Sequence, residues 1–507
     1  MQPEPAVLTS RDASRRAVPL DIDTEEFRRL GHALVDRIAL ALAARPDGPV
    51  TPADAPGAVR AALDAGQALP ERGLPAGDVL EHAAELVFSH SLYNGHPRFF
   101  GYITSSPAPI GMLGDLLAAA VNPNVGSWIL GPMATEIEAQ TVRWIAELIG
   151  CDPGSGGLLV SGGNMANLVA FWTARRAAAT WDVRAEGLAA AGGQRLRVYA
   201  TGETHTWLHK AADLAGLGTE AIRWIATDGA QRMDVEALRR AIEADVIAGE
   251  QPMLVIGTAG TVSTGAMDPL PQIADVCREH RVWFHVDGAY GGLAACVPGT
   301  PPELHALALA DSVAVDPHKW LYAPLEAGCV LVREPARLRD TFAYHPPYYH
   351  FGSEALNFVD LGPQNSRGFR ALKVWLALRH AGREGYVRMI RDDIALSEQL
   401  YREVDAHPEL QALTQHLSIT TFRYVPPDLR AGIGTEAAEP HLDALNRALL
   451  DRIQNSGEAF VSNAVIDGIY ALRACIVNFN TRAADIAALP EIVVRIGREV
   501  DVSLRGG

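Results

Sequence analysis

The chain has 507 residues, is 48% hydrophobic and 21% charged, and carries a formal net charge of −16 from 44 basic and 60 acidic residues. That length calls for two or three structural units with a sizeable core. The acidic balance argues against a general nucleic-acid binder and against a basic protein of the membrane surface.

The N-terminal stretch MQPEPAVLTSRDASRRAVPL has no apolar centre of signal-peptide type. Residues 21–45, DIDTEEFRRLGHALVDRIALALAAR, place apolar side chains at helical spacing behind leading acids. After a Pro/Gly/Asp-rich connector, DVLEHAAELVFSHSLY repeats the pattern. Residues 1–95 therefore read as a helical arm. The apolar stretch MLGDLLAAAVNPNVGSWILG is interrupted by Asp115, Asn residues and Pro123, so it does not suit a membrane span.

From about residue 150 short apolar runs alternate with amphipathic helices. The strands are GLLVS, RLRVYAT, AIRWIAT, MLVIGT, VWFHVD, DSVAV and GCVLVR. Such alternation predicts an α/β unit over 96–370 with a mainly parallel sheet covered on both faces. Sites in such sheets lie at the carboxyl ends of the strands. After GFRALKVWLALRHAG the pattern becomes mixed, with LSITTFRYV and ALRACIVNFN as strands, and 371–507 reads as a smaller α+β domain. The five cysteines (Cys151, Cys277, Cys296, Cys329, Cys475) are scattered and form no CxxC pair, as expected of reduced thiols in a soluble cytoplasmic protein.

Four motifs sit at strand ends. SGGNMAN (161–167) joins a strand to a helix through two glycines, which suits a phosphate nest but also an ordinary tight turn. His205 follows the second strand. With His209 it has the spacing of a metal pair but no third ligand, and it reads equally as a capping residue or as a flat ring for stacking. Asp287 closes the apolar strand VWFHV, where a carboxylate needs partners: either local amides or a cationic nitrogen. Lys319, in AVDPHKW, is either a surface lysine in a loop or a nucleophilic amine set inside the protein. Together a phosphate nest, a stacking ring, a carboxylate and an amine describe one ligand, pyridoxal 5'-phosphate.

With VDGAYGG, DPHKW, HTWLHKAAD and NGHPRFFGY in this order, the chain resembles the group II pyridoxal-phosphate-dependent amino-acid decarboxylases, the family of aromatic-L-amino-acid and glutamate decarboxylases. The resemblance spans about residues 21–480. It implies the aspartate-aminotransferase-like fold (fold type I), with a seven-stranded large domain, and an intertwined homodimer in which the N-terminal arm takes part. Position by position it implies that Lys319 forms the Schiff base with the cofactor, that Asp287 holds the ring nitrogen protonated, and that His205 stacks on the ring opposite Ala289. Gly163 and Asn164 would cradle the phosphate with Thr261 and His318 nearby, and Ser105 and His96 would lie near the substrate. A tyrosine of TFAYHPPYYHFGSEALNFVD (341–360), either Tyr344 or Tyr348, would protonate Cα from a lid-like loop.

The implied reaction is decarboxylation of an aromatic or hydrophobic L-amino acid to its amine. The alternative is an oxygen-consuming aldehyde synthase on the same scaffold. No metal, nucleic acid or membrane is implied. Two departures stand out: Val262 stands where relatives often have Thr, which removes one polar contact, and Gly126 stands where aromatic-specific relatives carry a bulky side chain, which implies a roomier pocket or a different aromatic or aliphatic substrate side chain.

Overall fold

The computed structural model describes residues 18–345 and 355–506. By compactness the chain divides once, into Met1–Tyr93 and Asn94–Gly507. In the first unit Asp23 caps the helix Thr24–Ala44 by accepting from the Glu26 amide at 2.8 Å. An ion pair of 2.6 Å between Arg37 and Glu85 ties that helix to the helix Ala76–Ser89.

In the second unit each of the seven apolar runs is a strand: β1 (Gly156–Val160), β2 (Leu196–Thr201), β3 (Ile222–Ile225), β4 (Gln251–Thr258), β5 (Trp283–Asp287), β6 (Ser312–Val315) and β7 (Gly328–Val332). They form one sheet in the order β1-β7-β6-β5-β4-β2-β3. The strands β6, β5, β4, β2 and β3 run parallel, while β7 is antiparallel to both its neighbours. Because β7 reverses the direction on each side, β1 points the same way as β6. The carboxyl ends of β1, β2, β4, β5 and β6 therefore share one edge.

Side chains alternate along each strand between the two faces. Leu159, Val255, Val313 and Leu331 join one buried cluster, with the helices Pro132–Ile149 and Leu270–His280. Leu158, Ala314 and Val330 join another, beneath the helix Gly163–Ala178. Both faces are thus covered, as the unbroken apolar runs predict.

A second, antiparallel sheet follows, from β8 (Leu410–His416), β9 (Ile419–Tyr424), β10 (Ser462–Ile466) and β11 (Ile469–Cys475), in the order β10-β11-β9-β8. Its core, including Leu400, Phe422, Leu449, Leu472 and Val493, is shared with the helices Glu439–Gln454 and Ala483–Gly506. The long helix Ala371–Ala406 serves both cores, with Val374 in the first and Leu400 in the second. It breaks at Gly382, whose φ of 66° lies in the left-handed region that only glycine adopts cheaply. No helix of the described residues is long and apolar enough to cross a membrane.

Candidate active site

The shared carboxyl edge gathers the motifs into one cavity. Its wall includes Ile103, Gly163, Asn164, Asn167, Glu203, His205, Thr258, Val262, Asp287, Ala289, Asp316 and Lys319. Five strands contribute to it: Gly163 follows β1, His205 follows β2, Thr258 ends β4, Asp287 ends β5 and Lys319 follows β6.

Lys319 lies in a single helical turn, Pro317–Trp320, started by a proline at its first position. Its Nζ is 3.1 Å from Asp316 Oδ2, and the Asp316 side chain is almost wholly buried. His318 Nε2 stands 3.7 Å from the same oxygen, and its Nδ1 is 2.7 Å from the Ala327 carbonyl. Burial lowers the His318 pKa, with Asp316 pulling the other way.

The turn is anchored from beneath. Trp320 Nε1 and Tyr322 Oη both donate to Asp393 Oδ2 at 2.8 Å, and Trp320 stacks on Tyr290 with ring centres 5.0 Å apart. Burial pushes the Asp393 carboxyl from 3.8 up to about 7. Between those values the folded chain keeps a proton that the unfolded chain releases, so stability falls as pH rises through that window. Asp393→Asn removes the titration. The urea midpoint of the parent is therefore expected to drop relative to that of the variant between pH 5.5 and pH 8, and a pH-independent difference would refute the assignment.

Asp287 is buried, and its two oxygens have different duties. Oδ2 accepts from Trp207 Nε1 at 2.7 Å and from Asn167 Nδ2 at 3.3 Å, whereas Oδ1 takes only the Ala289 amide, at 3.2 Å, among the described residues. One oxygen is thus committed to two side chains of the protein, and the other keeps acceptor capacity. His205 accepts from the Trp207 amide through Nδ1 at 3.2 Å. Although much of His205 is open to solvent, the part set into the cavity loses hydration. That lowers its imidazole pKa, against the opposing pull of Asp287. His209 packs instead on Trp224, 5.2 Å between centres. Among the described residues no group of three or more His, Cys, Asp or Glu side chains is placed to hold a metal ion.

Gly162, with φ 105°, turns the chain into the helix that begins at Gly163. First-turn amides have no partner inside a helix, so Gly163 and Asn164 present free donors beside the cavity. Glycine is required at 163, because a Cβ there would lie 2.5 Å from Asp316 Oδ2. Gly163→Ala is expected to displace that carboxylate, and Lys319 with it, weakening cofactor binding roughly tenfold or more for about 1–3 kcal/mol of overpacking. Equilibrium dialysis of pyridoxal phosphate would measure it, and unchanged affinity would contradict the close fit.

Other expected residues lie elsewhere. Thr261 is buried and pairs its hydroxyl with Thr264 at 3.0 Å, so Thr258 and not Thr261 provides the hydroxyl on the wall. Ser105 donates to the His318 carbonyl at 2.8 Å, holding the lysine turn from behind; fully buried His96 accepts from the Arg98 amide at 3.0 Å. Ile103 faces the cavity on that side. Tyr344 is exposed and its ring lies 4.0 Å from the Arg184 guanidinium, away from the cavity wall. Tyr348 falls outside the described residues. Gly126 opens no space: a Cβ there would lie 2.1 Å from the Asn365 carbonyl oxygen, so backbone fills the volume that a side chain would take.

The cavity suits the cofactor. Asp316 Oδ1 is buried with no hydrogen-bond partner among the described residues, and so is the Thr258 hydroxyl. Such orphaned groups are costly unless a ligand or water completes them. Together with the free helix amides, the unsaturated Asp287 oxygen and the Lys319 amine, they match a phosphorylated, nitrogen-containing aldehyde. Sequence reasoning overlooked Asp316, Asn167, Trp207 and Thr258, although Asp316 lies inside the DPHKW motif.

The comparisons with known proteins agree. The chain is 31% identical over 490 residues to an aromatic-L-amino-acid decarboxylase of Bacillus atrophaeus, covering 96% of this chain and 98% of that one. It is 33% identical to a tyrosine decarboxylase of Oryza sativa subsp. japonica, covering 94% and 91%. The crystal structure of Oryza sativa TDC with PLP and tryptamine superposes with a TM-score of 0.86 at 29% identity, over 96% of this chain and 99% of that one. Residues 56–425 match the model of the pyridoxal-dependent decarboxylase conserved domain. The expected fold type I architecture and the pyridoxal phosphate cofactor are therefore borne out, and the chain belongs to the family of pyridoxal-dependent decarboxylases.

Proposed function

We propose that this carboxy-lyase acts on an aromatic L-amino acid, releasing carbon dioxide and the amine. The observation that carries the reading is the meeting of Lys319 and Asp287 on one cavity wall, beside the apolar surface of Ile103, Val262 and Ala289. The aromatic substrates named for the two relatives, each matched over nine-tenths of its length, support the substrate class.

Bound in this cavity, pyridoxal phosphate supplies an aldehyde that captures amines and a ring that takes up the electron pair of a bond broken at Cα. Lys319 Nζ, on the cavity wall, would hold the cofactor. Gly163 and Asn164 bind the phosphate through their amides, and Asp287 Oδ1 keeps the proton on the ring nitrogen. His205 and Ala289 would hold the ring between them, while Thr261, His318, Ser105 and His96 would support the surrounding backbone. Tyr344 or Tyr348 delivers the proton to Cα. For Tyr344 this requires leaving Arg184, whose Nε lies 3.2 Å from its hydroxyl.

A homodimer and a cytoplasmic location are part of the same proposal. Leu113, Leu116, Leu117 and Val121 project from the helix Pro109–Val121 and, with Ile129, Leu130 and Met133, leave more apolar surface exposed than an isolated subunit favours. The helical arm 1–95 is proposed to join that interface, alongside the large domain 96–370 and the small domain 371–507. All five cysteines are free, in keeping with a reducing compartment.

The test is a panel of L-tryptophan, L-tyrosine, L-phenylalanine, L-glutamate and L-cysteine sulfinate, read together for carbon dioxide, amine, aldehyde and peroxide. Amine and carbon dioxide in equal amounts from an aromatic substrate are expected. Turnover of the acidic substrates alone would overturn the substrate class. Aldehyde with peroxide in place of amine would make the chain an aldehyde synthase.

A further inference from the structure

Behind Asp287 a chain of buried side chains runs from Asn167, on the cavity wall, into the interior. Asn167 Nδ2 is 3.3 Å from Asp287 Oδ2, and Asn167 Oδ1 is 2.7 Å from His285 Nε2. His285 Nδ1 is 2.8 Å from Ser312 Oγ, which is itself 2.8 Å from Trp283 Nε1. Asn167, His285 and Ser312 are each at most 1% exposed, so solvent cannot substitute for a missing partner.

The direction of these bonds follows from what each group can do. An ionised carboxylate only accepts, so Asn167 must turn its NH2 towards Asp287 and its carbonyl towards His285. His285 must then donate from Nε2. Burial lowers its pKa to about 4, so near neutral pH the ring is uncharged, carries one N–H and accepts at Nδ1. Ser312 therefore donates to Nδ1 and accepts from the Trp283 indole, which can only donate. Reversing the chain would turn the Asn167 carbonyl towards Asp287, an arrangement that requires Asp287 to be protonated. The His285 tautomer and the charge on Asp287 are thus two readings of one arrangement.

We propose that Asn167 and His285 are positioning residues for Asp287: His285, donating from Nε2, locks the Asn167 carboxamide with its NH2 towards that carboxylate, which stays an acceptor aimed at the cofactor ring nitrogen. Trp207 supplies the second fixed donor to the same oxygen and packs edge-on against His285, at 6.0 Å and 88°. The relay rests on the reading that Asp287 serves the ring nitrogen of bound pyridoxal phosphate, and it adds what holds that carboxylate in the required state. Cofactor retention and absorbance therefore report on the relay independently of turnover.

The experiment uses holoenzyme labelled with 15N-histidine, together with His285→Leu and His285→Gln. In the parent, His285 is expected to be neutral with its proton on Nε2, and a proton on Nδ1 would overturn the proposal without any variant. His285→Leu is expected to bind pyridoxal phosphate roughly tenfold more weakly, the worth of one hydrogen bond linked to a charged group. It should also shift the pH titration of the 400–450 nm absorbance that pyridoxal phosphate shows when covalently held by a lysine, about the visible edge, and lower kcat more than it changes KM. His285→Gln, whose amide can donate to Asn167 and accept from Ser312, is expected to recover most of that shift. Leu and Gln variants with the same absorbance titration and cofactor affinity as the parent would refute the relay. A parent protein that takes up no pyridoxal phosphate would instead refute the reading beneath it.

Discussion

Lys319→Ala is expected to abolish turnover, by about a thousandfold or more, and to end covalent retention of the cofactor while leaving the fold intact. The expectation follows from position. Lys319 contributes the amine on the cavity wall, 3.1 Å from the buried Asp316 carboxylate, and the adjoining His318 is tied to the Ala327 carbonyl. Borohydride treatment of the parent should fix one cofactor per chain, and peptide mapping should place it on Lys319. Fixation on another lysine, or turnover by the alanine variant near the parent rate, would remove Lys319 from the reaction. The side chain is about one-fifth exposed, so its removal leaves no large cavity and the thermal midpoint should move little.

Glu138→Ala is expected to give the largest loss of stability, about 3–5 kcal/mol. Glu138 and Arg367 form an ion pair with side chains 0% and 1% exposed. The guanidinium also donates to the carbonyls of Val125 (3.1 Å) and Leu159 (2.6 Å) and lies over the Phe358 ring at 4.6 Å. The carboxylate in turn accepts from the Leu159 amide at 2.9 Å, inside β1. Removing it leaves a buried cation without a counter-charge and a strand amide without an acceptor. The urea midpoint should fall accordingly. Glu138→Leu combined with Arg367→Met should be less damaging than Glu138→Ala, because the double variant buries no lone charge. A single variant as stable as the parent would show that water reaches the pair.

The strands, the covered sheet and the cavity's main residues were legible because period and punctuation carry them. Apolar runs end at Asp287, at Pro317 before Lys319, and at the glycines 162 and 163, and each ending marks a strand's carboxyl edge. The reversed β7 was not legible. GCVLVR reads like its neighbours, and its direction depends on the link from Val315 to Gly328, which holds only a four-residue helical turn where a parallel crossover usually carries a full helix. The partners of Asp287 were hidden for another reason. Trp207 and Asn167 sit at positions that helical spacing assigns to the core, and both are indeed buried. Nothing in a one-dimensional pattern says that an indole N–H or a carboxamide there has a carboxylate to serve. Gly126 misled because a missing side chain was read as space, when the Asn365 backbone fills it.

The insertion of β7 between β1 and β6 also sets an order of events during synthesis. A Cβ on Gly328 would lie 2.4 Å from the carbonyl carbon of Gly162, so the glycine turn at 162–163 and the edge of β7 are in backbone contact. Until residue 332 has left the ribosome, β1 has no partner in the sheet. The glycine turn, some 150 residues upstream of the lysine, must wait unpaired for the strand that completes it. A cofactor that binds only the finished edge would be captured late in biogenesis and would stabilise the completed chain by mass action.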